Sequence, residues 1–172
     1  LSAGRKEFTK FLFRRYGVSG ICAFNLSRRC EPGDVLRVDL FPELAEAKLA
    51  ALLARRLELL GAPEDVRWLD GLVARPLADV VWARASAGAE VAQAVDGKDD
   101  FIARLARTLK CLSFTVTGLA ETASAQVTRG GLAVDAFSPS TLAAREHPGL
   151  YAVGEALDMD ADCGGFNLAW AW

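Results

Sequence analysis

The C-terminal stretch, residues 149–172, constrains the fold most, because it combines a strand, two glycine turns and the start of a helix. Leu150 to Val153 predicts a short buried strand that ends at Gly154. An acidic loop follows, and a glycine pair then leads into a helix predicted to begin at Asn167. Glycines let the main chain approach a ligand closely, and the first N–H groups of a helix attract electron-rich oxygens. In α/β proteins such an arrangement holds nucleotides.

This stretch resembles the closing motif of the FAD-dependent oxidoreductases of the aminoacetone-oxidase and BaiN type, which are also called YhiN-like. The family motif typically reads GLYF-x-GE-x-LD-x-DG-x-x-GGYN. The chain departs from it at Ala161 and Phe166, where the family usually has Gly and Tyr. The matching positions are Gly149, Leu150, Tyr151, Gly154, Glu155, Leu157, Asp158, Asp160, Gly164, Gly165 and Asn167.

Two earlier segments resemble the same family. The first resembles an LFT-x-x-G-x-SG stretch of the family's β-rich substrate domain, with Arg14 in place of Thr. The second resembles an A-x-VT-x-GGV connection that passes near the flavin, with Leu132 in place of Val. A plain hairpin would explain the glycines of the second segment equally well. The matching residues are Leu12, Phe13, Gly17, Ser19 and Gly20 in the first, and Ala125, Val127, Thr128, Gly130 and Gly131 in the second.

The resemblance implies a set of FAD-binding residues. The carboxylates of Glu155 and Asp158 are expected to accept hydrogen bonds from ribityl or ribose hydroxyls. The N–H groups of residues 164–167 are expected to face the pyrimidine edge of the isoalloxazine, where negative charge gathers when flavin is reduced. The whole set is Thr128, Gly130, Gly131, Gly154, Glu155, Asp158, Gly164, Gly165, Phe166 and Asn167.

The flavin itself would carry out hydride or electron transfer, so no residue is predicted to be catalytic. NADH or NADPH is a candidate reductant, and a small molecule is the expected substrate. No G-x-G-x-x-G follows a strand. The N-terminal Rossmann half that grips the ADP part of FAD is therefore the expected partner, and the chain alone is expected to bind FAD weakly or not at all. The missing initiator Met and the apolar end at Trp170 and Trp172 predict a piece of a longer protein.

The predicted fold class is α+β. Residues 1–41 and 113–130 are predicted to form β-rich, barrel-like strands, and residues 42–112 an inserted helical bundle. Residues 131–172 are predicted to be a C-terminal remnant of a Rossmann-type FAD-binding domain. In the family, the inserted bundle covers one side of the active-site cleft.

The helical segment is rich in Ala, Leu and Arg. Its first helix is predicted to begin at Pro42 and to end at Gly61, and further helices are predicted over 64–73, from Pro76 onwards and over 99–111. Residues 86–97 are ambiguous, with a short helix at 89–95 left open.

The β segments include residues 8–27, with a turn at 17–20 and an apolar strand at 21–26. Further strands are predicted over 35–40, 113–117 and 121–128. A hairpin turn at residues 129–131 is predicted to lead into 132–134.

Composition excludes several classes. A formal charge of −2 gives no general attraction to nucleic acid or acidic membranes. No apolar run approaches the roughly 20 residues that span a bilayer. Reduced cysteines fit a cytoplasmic protein best, which is the expected location. Four cysteines without a C-x-x-C pair, and a single histidine, do not predict a zinc site. The run Asp158-x-Asp160-x-Asp162 lacks the Gly and Glu of a calcium loop. Asp160 and Asp162 are predicted to lie in a solvated loop.

A second function belongs to another class. The helical segment 42–112 could recognise a partner protein as a stand-alone interaction module. The glycine-pair loop distinguishes the two hypotheses, because an interaction module would not require it.

Overall fold

The computed structural model describes residues 6–7, 9–87, 97–120 and 125–172, which form an α+β protein. The chain divides into two compact units, one made of Leu1–Asp34 and Val116–Trp172 and the other of Val35–Thr115. None of the helices in the described ranges is long and apolar enough to cross a membrane. In chain order the elements are β1 (Leu12–Arg14), β2 (Gly17–Ser19), α1 (Ile21–Ser27), β3 (Val35–Val38), α2 (Glu46–Leu60), α3 (Arg75–Ser86), α4 (Gly97–Lys110), β4 (Leu112–Thr115) and α5 (Phe166–Ala171).

The unit Val35–Thr115 is built around the three longest helices. Each of α2, α3 and α4 places apolar residues three or four positions apart on the face that it buries. Leu49 and Leu53 of α2 are fully buried, as are Leu105 and Leu109 of α4. Small residues let α3 approach closely, since Ala78 is also fully buried. Full burial of each leucine is worth about 1.5–3 kcal/mol, so this cluster is the main source of stability in the unit.

An antiparallel ribbon closes the same unit. Strands β3 and β4 pair from Val35 with Thr115 to Val38 with Leu112. Leu112 is fully buried against the helical cluster, and Val38 packs against that cluster from the opposite strand. The two ends of the unit are therefore hydrogen-bonded neighbours.

The predicted helical segment differs from the structure in two places. Helix α2 begins at Glu46 rather than at Pro42, because Lys110 holds the chain before it as a turn: its Nζ donates to the carbonyls of Phe41 and Leu44 at 2.8 and 2.5 Å. The helix predicted over 64–73 is a single 3₁₀ turn, Val66–Leu69. Most of the ambiguous segment, residues 88–96, lies outside the described residues. The end of α2 at Gly61 agrees with the prediction, as does the helix predicted over 99–111, which is α4. The helix predicted from Pro76 onwards is α3, and it ends at Ser86.

The other unit opens with a hairpin and a helix. Strands β1 and β2 pair antiparallel, and the turn lies at Arg15 and Tyr16, so the predicted turn at residues 17–20 is wrong. The strand predicted over 21–26 is also wrong, because α1 occupies that run. Cys22 and Asn25, three positions apart, are its buried residues, which is a helical spacing.

Short backbone bridges organise the C-terminal part of this unit. Leu132 bridges Leu157 in parallel, and Ala143 bridges Tyr151 antiparallel. A small cluster of Phe137, Ala152 and Leu157 is buried beneath them. These bridges join single residue pairs rather than long strands.

The strands and the hairpin predicted for the C-terminal part are wrong. Residues 150–153 form no buried strand, because Leu150 and Val153 are 49% and 62% exposed. Residues 125–128 are not a strand either, and residues 121–124 lie outside the described residues. The predicted hairpin is absent from the described residues, because Leu132 pairs with Leu157 instead.

Leu142 adopts a left-handed backbone conformation with a φ of 59°, which costs an L-residue about 1–2 kcal/mol. We expect Leu142→Gly to leave the free energy of unfolding unchanged or to raise it by up to about 1 kcal/mol, because relief of this strain offsets the lost side chain. Leu150→Gly is the matched control: Leu150 is similarly exposed but has a negative φ, so we expect a loss of about 1 kcal/mol. Urea denaturation of the chain measures both, and equal losses would contradict the assignment of strain to Leu142.

Candidate functional site

The structure brings two of the predicted cofactor segments together through a side chain. The backbone N–H of Thr128 donates to Oε1 of Glu155 at 2.7 Å, although 27 positions separate them in the sequence. Both residues are exposed. Oε2 of Glu155 and the carboxylate of Asp158, which is also exposed, are the acidic acceptors of this site.

Gly131 allows a close backbone approach at the same place. Leu132 N–H donates to the Ala156 carbonyl at 2.9 Å, and Asp158 N–H donates to the Leu132 carbonyl at 2.8 Å. A Cβ at Gly131 would lie 2.7 Å from the Ala156 oxygen, closer than real Cβ contacts allow. A Cβ at Gly130 would meet nothing. The first predicted segment therefore packs directly on the second.

The third predicted segment, residues 164–167, opens α5, and the far end of this helix lies against Gly154 of the second segment. A Cβ at Gly154 would lie 3.3 Å from the carbonyl oxygen of Ala171, at the end of α5. The 3₁₀ turn Gly154–Ala156 thus lies against the last turn of that helix. All three segments belong to the same compact unit.

The glycine pair opens α5, whose first helical residue is Phe166, one position before the predicted start at Asn167. Gly165 has a φ of 90° and a Cβ there would face open space, so the backbone is accessible at this point. Phe166 beside it is 63% exposed. Because α5 has only six residues, its dipole is weak, and individual N–H groups are what the segment offers to a ligand.

The side chain of Asn167 forms hydrogen bonds within the protein. Its Oδ1 accepts from Ala161 N–H at 2.7 Å, and its Nδ2 donates to the Ala161 carbonyl at 2.9 Å. This pair of bonds closes the loop between Ala161 and α5. The side chain of Asn167 therefore commits one acceptor site and one N–H to this loop.

The acidic loop is not simply solvated, which corrects the prediction for Asp160 and Asp162. Arg28, at the end of α1, donates through Nε to Asp160, through Nη2 to the Asp160 carbonyl at 2.8 Å and through Nη1 to Asp162 at 2.5 Å. The side chains of Arg28 and Asp160 are only 18% and 17% exposed. The loop is not simply solvated because Arg28, 132 positions before Asp160, forms a half-buried ion pair with it.

Asn25 of α1 is a second contact that sequence reasoning missed. It is 5% exposed, accepts from Cys163 N–H at 2.7 Å and donates to Glu7 at 3.1 Å. Prediction of residues 21–26 as a strand concealed both contacts. A helical reading of this run would place Asn25 and Arg28 on one face, three positions apart, which is the signal that could have found them.

The thiols and acidic groups offer no alternative centre in the described part of the chain. All four cysteines are free. Burial raises the pKa of the Cys30 thiol, and the charge of Asp34 raises that pKa further, against the lowering effect of a backbone hydrogen bond. Cys30 is thus kept protonated and weakly reactive. No group of three His, Cys, Asp or Glu residues in the described ranges could hold a metal ion.

The chain matches a protein-family model. Residues 2–127 match the model of the HI0933-like protein barrel and H2TH domain. This range covers the hairpin, α1 and the whole unit Val35–Thr115, so it includes most of the chain.

Three curated relatives are similar to this chain. A 3-dehydro-bile acid delta(4,6)-reductase of Clostridium scindens is 29% identical over 167 residues, which are 91% of this chain and 40% of the relative. A ribosomal RNA dihydrouridine synthase of Haemophilus influenzae is 28% identical over 181 residues, 98% of this chain and 41% of the relative. A ribosomal RNA dihydrouridine synthase of Escherichia coli is 45% identical over 49 residues, 28% of this chain and 12% of the relative. The chain thus spans about two fifths of the length of the first two relatives. Together with the family match, this similarity shows that the chain belongs to the HI0933-like family of flavoprotein oxidoreductases, the BaiN and YhiN type.

Proposed function

We propose that this chain positions FAD for hydride transfer within a flavoprotein reductase. The observation that carries the proposal is that three predicted segments lie in one compact unit, where the Thr128–Glu155 hydrogen bond joins two of them and the end of α5 lies against the second. The three segments are separated in sequence, and a shared ligand is a physical reason for them to meet around exposed polar groups.

The residues present fit the flavin in two respects. The carboxylates of Glu155 and Asp158 are exposed acceptors, which suits ribityl and ribose hydroxyls, and such charge-assisted hydrogen bonds are the strong ones. Gly165 gives open access to the backbone before α5, which suits a flat ring. The FAD supplies the hydride chemistry when it is bound, and the protein groups hold and orient it.

The proposal extends to a Rossmann-type half that holds the ADP part of FAD. Helix α5 offers apolar surface for such a partner, because Phe166 and Leu168 are 63% and 72% exposed. Exposed apolar surface of this kind marks an interaction site. The alternative, in which the helical unit recognises a partner protein, stays a prediction.

The substrate is proposed to carry a carbon–carbon double bond conjugated to a carbonyl group. The names of the relatives describe reductions of this kind, in a 3-dehydro-bile acid and in the uracil ring of RNA. For this chain we propose a small molecule with NADH or NADPH as the reductant. Consumption of NADH or NADPH on addition of a 3-oxo-4-ene steroid would support a small substrate. Turnover only with a ribosomal RNA transcript would mean that the substrate is RNA.

FAD binding is tested on the complete protein that carries this sequence. We expect it to purify with the visible absorption bands of flavin and Asp158→Ala to bind FAD about tenfold to a hundredfold more weakly, because a hydrogen bond to a charged group contributes about 1.5–3 kcal/mol. Asp135→Ala, a matched change at an exposed acid outside the three segments, is expected to leave the dissociation constant unchanged. A colourless protein that does not bind added FAD would refute the proposed function.

A further inference from the structure

We infer that Arg28 and Asn25 are positioning residues for the flavin, which act by fixing the loop of residues 160–165 in front of α5. This inference deepens the proposed function and rests on it. Neither residue lies in the three predicted cofactor segments, and neither needs to touch the cofactor for the effect.

Arg28 binds the first half of the loop at three points. Its guanidinium donates to the side chains of Asp160 and Asp162 and to the carbonyl oxygen of Asp160. The planar fork of Arg fixes directions as well as distances, which a lysine ammonium would not do. Because the Arg28 side chain is 18% exposed, solvent screens these contacts less than it screens a surface pair.

Asn25 binds the second half of the loop. Its Oδ1 accepts the N–H of Cys163, the residue directly before the glycine pair. Asn25 is itself held by Glu7 through its Nδ2 at 3.1 Å, so its amide orientation is fixed. Asn25 and Arg28 lie one turn apart on α1 and therefore hold adjacent parts of the same loop.

The same end of α1 also holds the first predicted segment. The Arg129 guanidinium donates to the carbonyl of Arg28, which is the residue that caps α1. Arg129 lies between Thr128 and Gly130, both predicted to contact FAD. One turn of α1 thus fixes the 128–131 segment through its backbone and the 160–163 loop through its side chains.

The glycine pair makes such a support necessary. Gly164 and Gly165 have positive φ values of 139° and 90°, and glycine leaves the backbone free to adopt many other conformations. Amides that face a flavin need a fixed direction, because a functional group must be held close to its productive geometry by its surroundings. Without the contacts from α1, the glycine pair would sample several directions and the loop amides would lose their alignment.

The test uses the complete protein with Arg28→Met, and Arg29→Met as the matched control at the neighbouring exposed arginine. We expect Arg28→Met to weaken the affinity for oxidised FAD about tenfold and the affinity for reduced FAD about a hundredfold. This further tenfold corresponds to a flavin potential about 30 mV lower. Arg29→Met is expected to change neither. Arg28→Lys is expected to fall between wild type and Arg28→Met, because it keeps the charge and loses the fork.

The readouts separate failure of the inference from failure of the proposed function. A wild-type protein that binds no FAD refutes the proposed function. A wild-type protein that binds FAD, with Arg28→Met equal to Arg29→Met in affinity, visible spectrum and potential, overturns the inference alone. Should Arg28→Met fail to fold, Asp162→Asn provides the second measurement, since its side chain is 44% exposed. It is expected to weaken FAD binding about threefold, and unchanged binding and potential would overturn the inference.

Discussion

Replacement of Gly20 by alanine is expected to lower the free energy of unfolding by about 4 kcal/mol. Gly20 caps α1 with a φ of 95°, and a Cβ there would lie 2.5 Å from the carbonyl oxygen of Lys10. This oxygen is backbone that also accepts from Cys22 N–H, so it cannot move away as a flexible side chain would. Steric overlap in a packed region costs about 1–3 kcal/mol, and the left-handed φ adds about 1–2 kcal/mol.

Gly33→Ala is the control that separates the two contributions. Gly33 has a φ of 99°, nearly the same as Gly20, but a Cβ there would meet nothing. Its substitution should therefore cost only the backbone strain, about 1–2 kcal/mol. Urea denaturation of both variants gives the difference. If the two variants lost the same free energy of unfolding, the close approach of Gly20 to Lys10 would contribute nothing to the loss, contrary to the geometry.

Lys110→Met is expected to lower the free energy of unfolding by about 3 kcal/mol. The Lys110 ammonium has three donors, and all three have acceptors: the carbonyls of Phe41 and Leu44, and Asp39 at 2.6 Å. The Lys110 side chain is only 15% exposed. Methionine keeps most of the volume but leaves these acceptors without their donor, and loss of one partner of a part-buried charged group costs about 1–3 kcal/mol or more.

Lys48→Met on α2 is the matched control for this change. Lys48 is exposed, so its replacement should change the free energy of unfolding by no more than about 0.5 kcal/mol. Both variants are compared by urea denaturation at the same salt concentration. Equal stability of the two variants would mean that Lys110 does not hold the turn before α2.

The helical unit was the part of the fold that could be predicted from the sequence. Its apolar residues recur over more than three turns, so their period is distinct from that of a strand. Leu105 and Leu109, four positions apart in the helix predicted over 99–111, are fully buried. Gly61 ends α2 as predicted, because its positive φ suits glycine best.

Short apolar runs were predicted wrongly, and for a physical reason. Residues 21–26 are too few to show whether apolar positions repeat every two residues or every 3.6. The bond from Cys22 N–H to the Lys10 carbonyl and the unusual φ of Gly20 start a helix there, and neither is visible in the local sequence. Residues 150–153 are apolar yet mostly exposed, so hydrophobicity alone misplaced a strand there.

The candidate site was predictable only in part. The glycines could be identified because a motif specifies them, and Gly131 and Gly165 do have positive φ values. The ion pair of Arg28 with Asp160 spans 132 positions, and no local pattern encodes a contact at that distance. Asn167 belonged to the motif, but its side chain bonds to Ala161, which a motif match cannot reveal.

The ribbon of β3 and β4 has a consequence for how this architecture can vary. Val35 and Thr115 are paired neighbours, so the helical unit leaves and rejoins the chain at almost the same point in space. A segment with adjoining ends can be lengthened, shortened or exchanged for a tight turn without a change in the spacing of the flanking chain. The unit can therefore be replaced as a whole. Its size and surface can differ between relatives while the flanking residues keep their spacing.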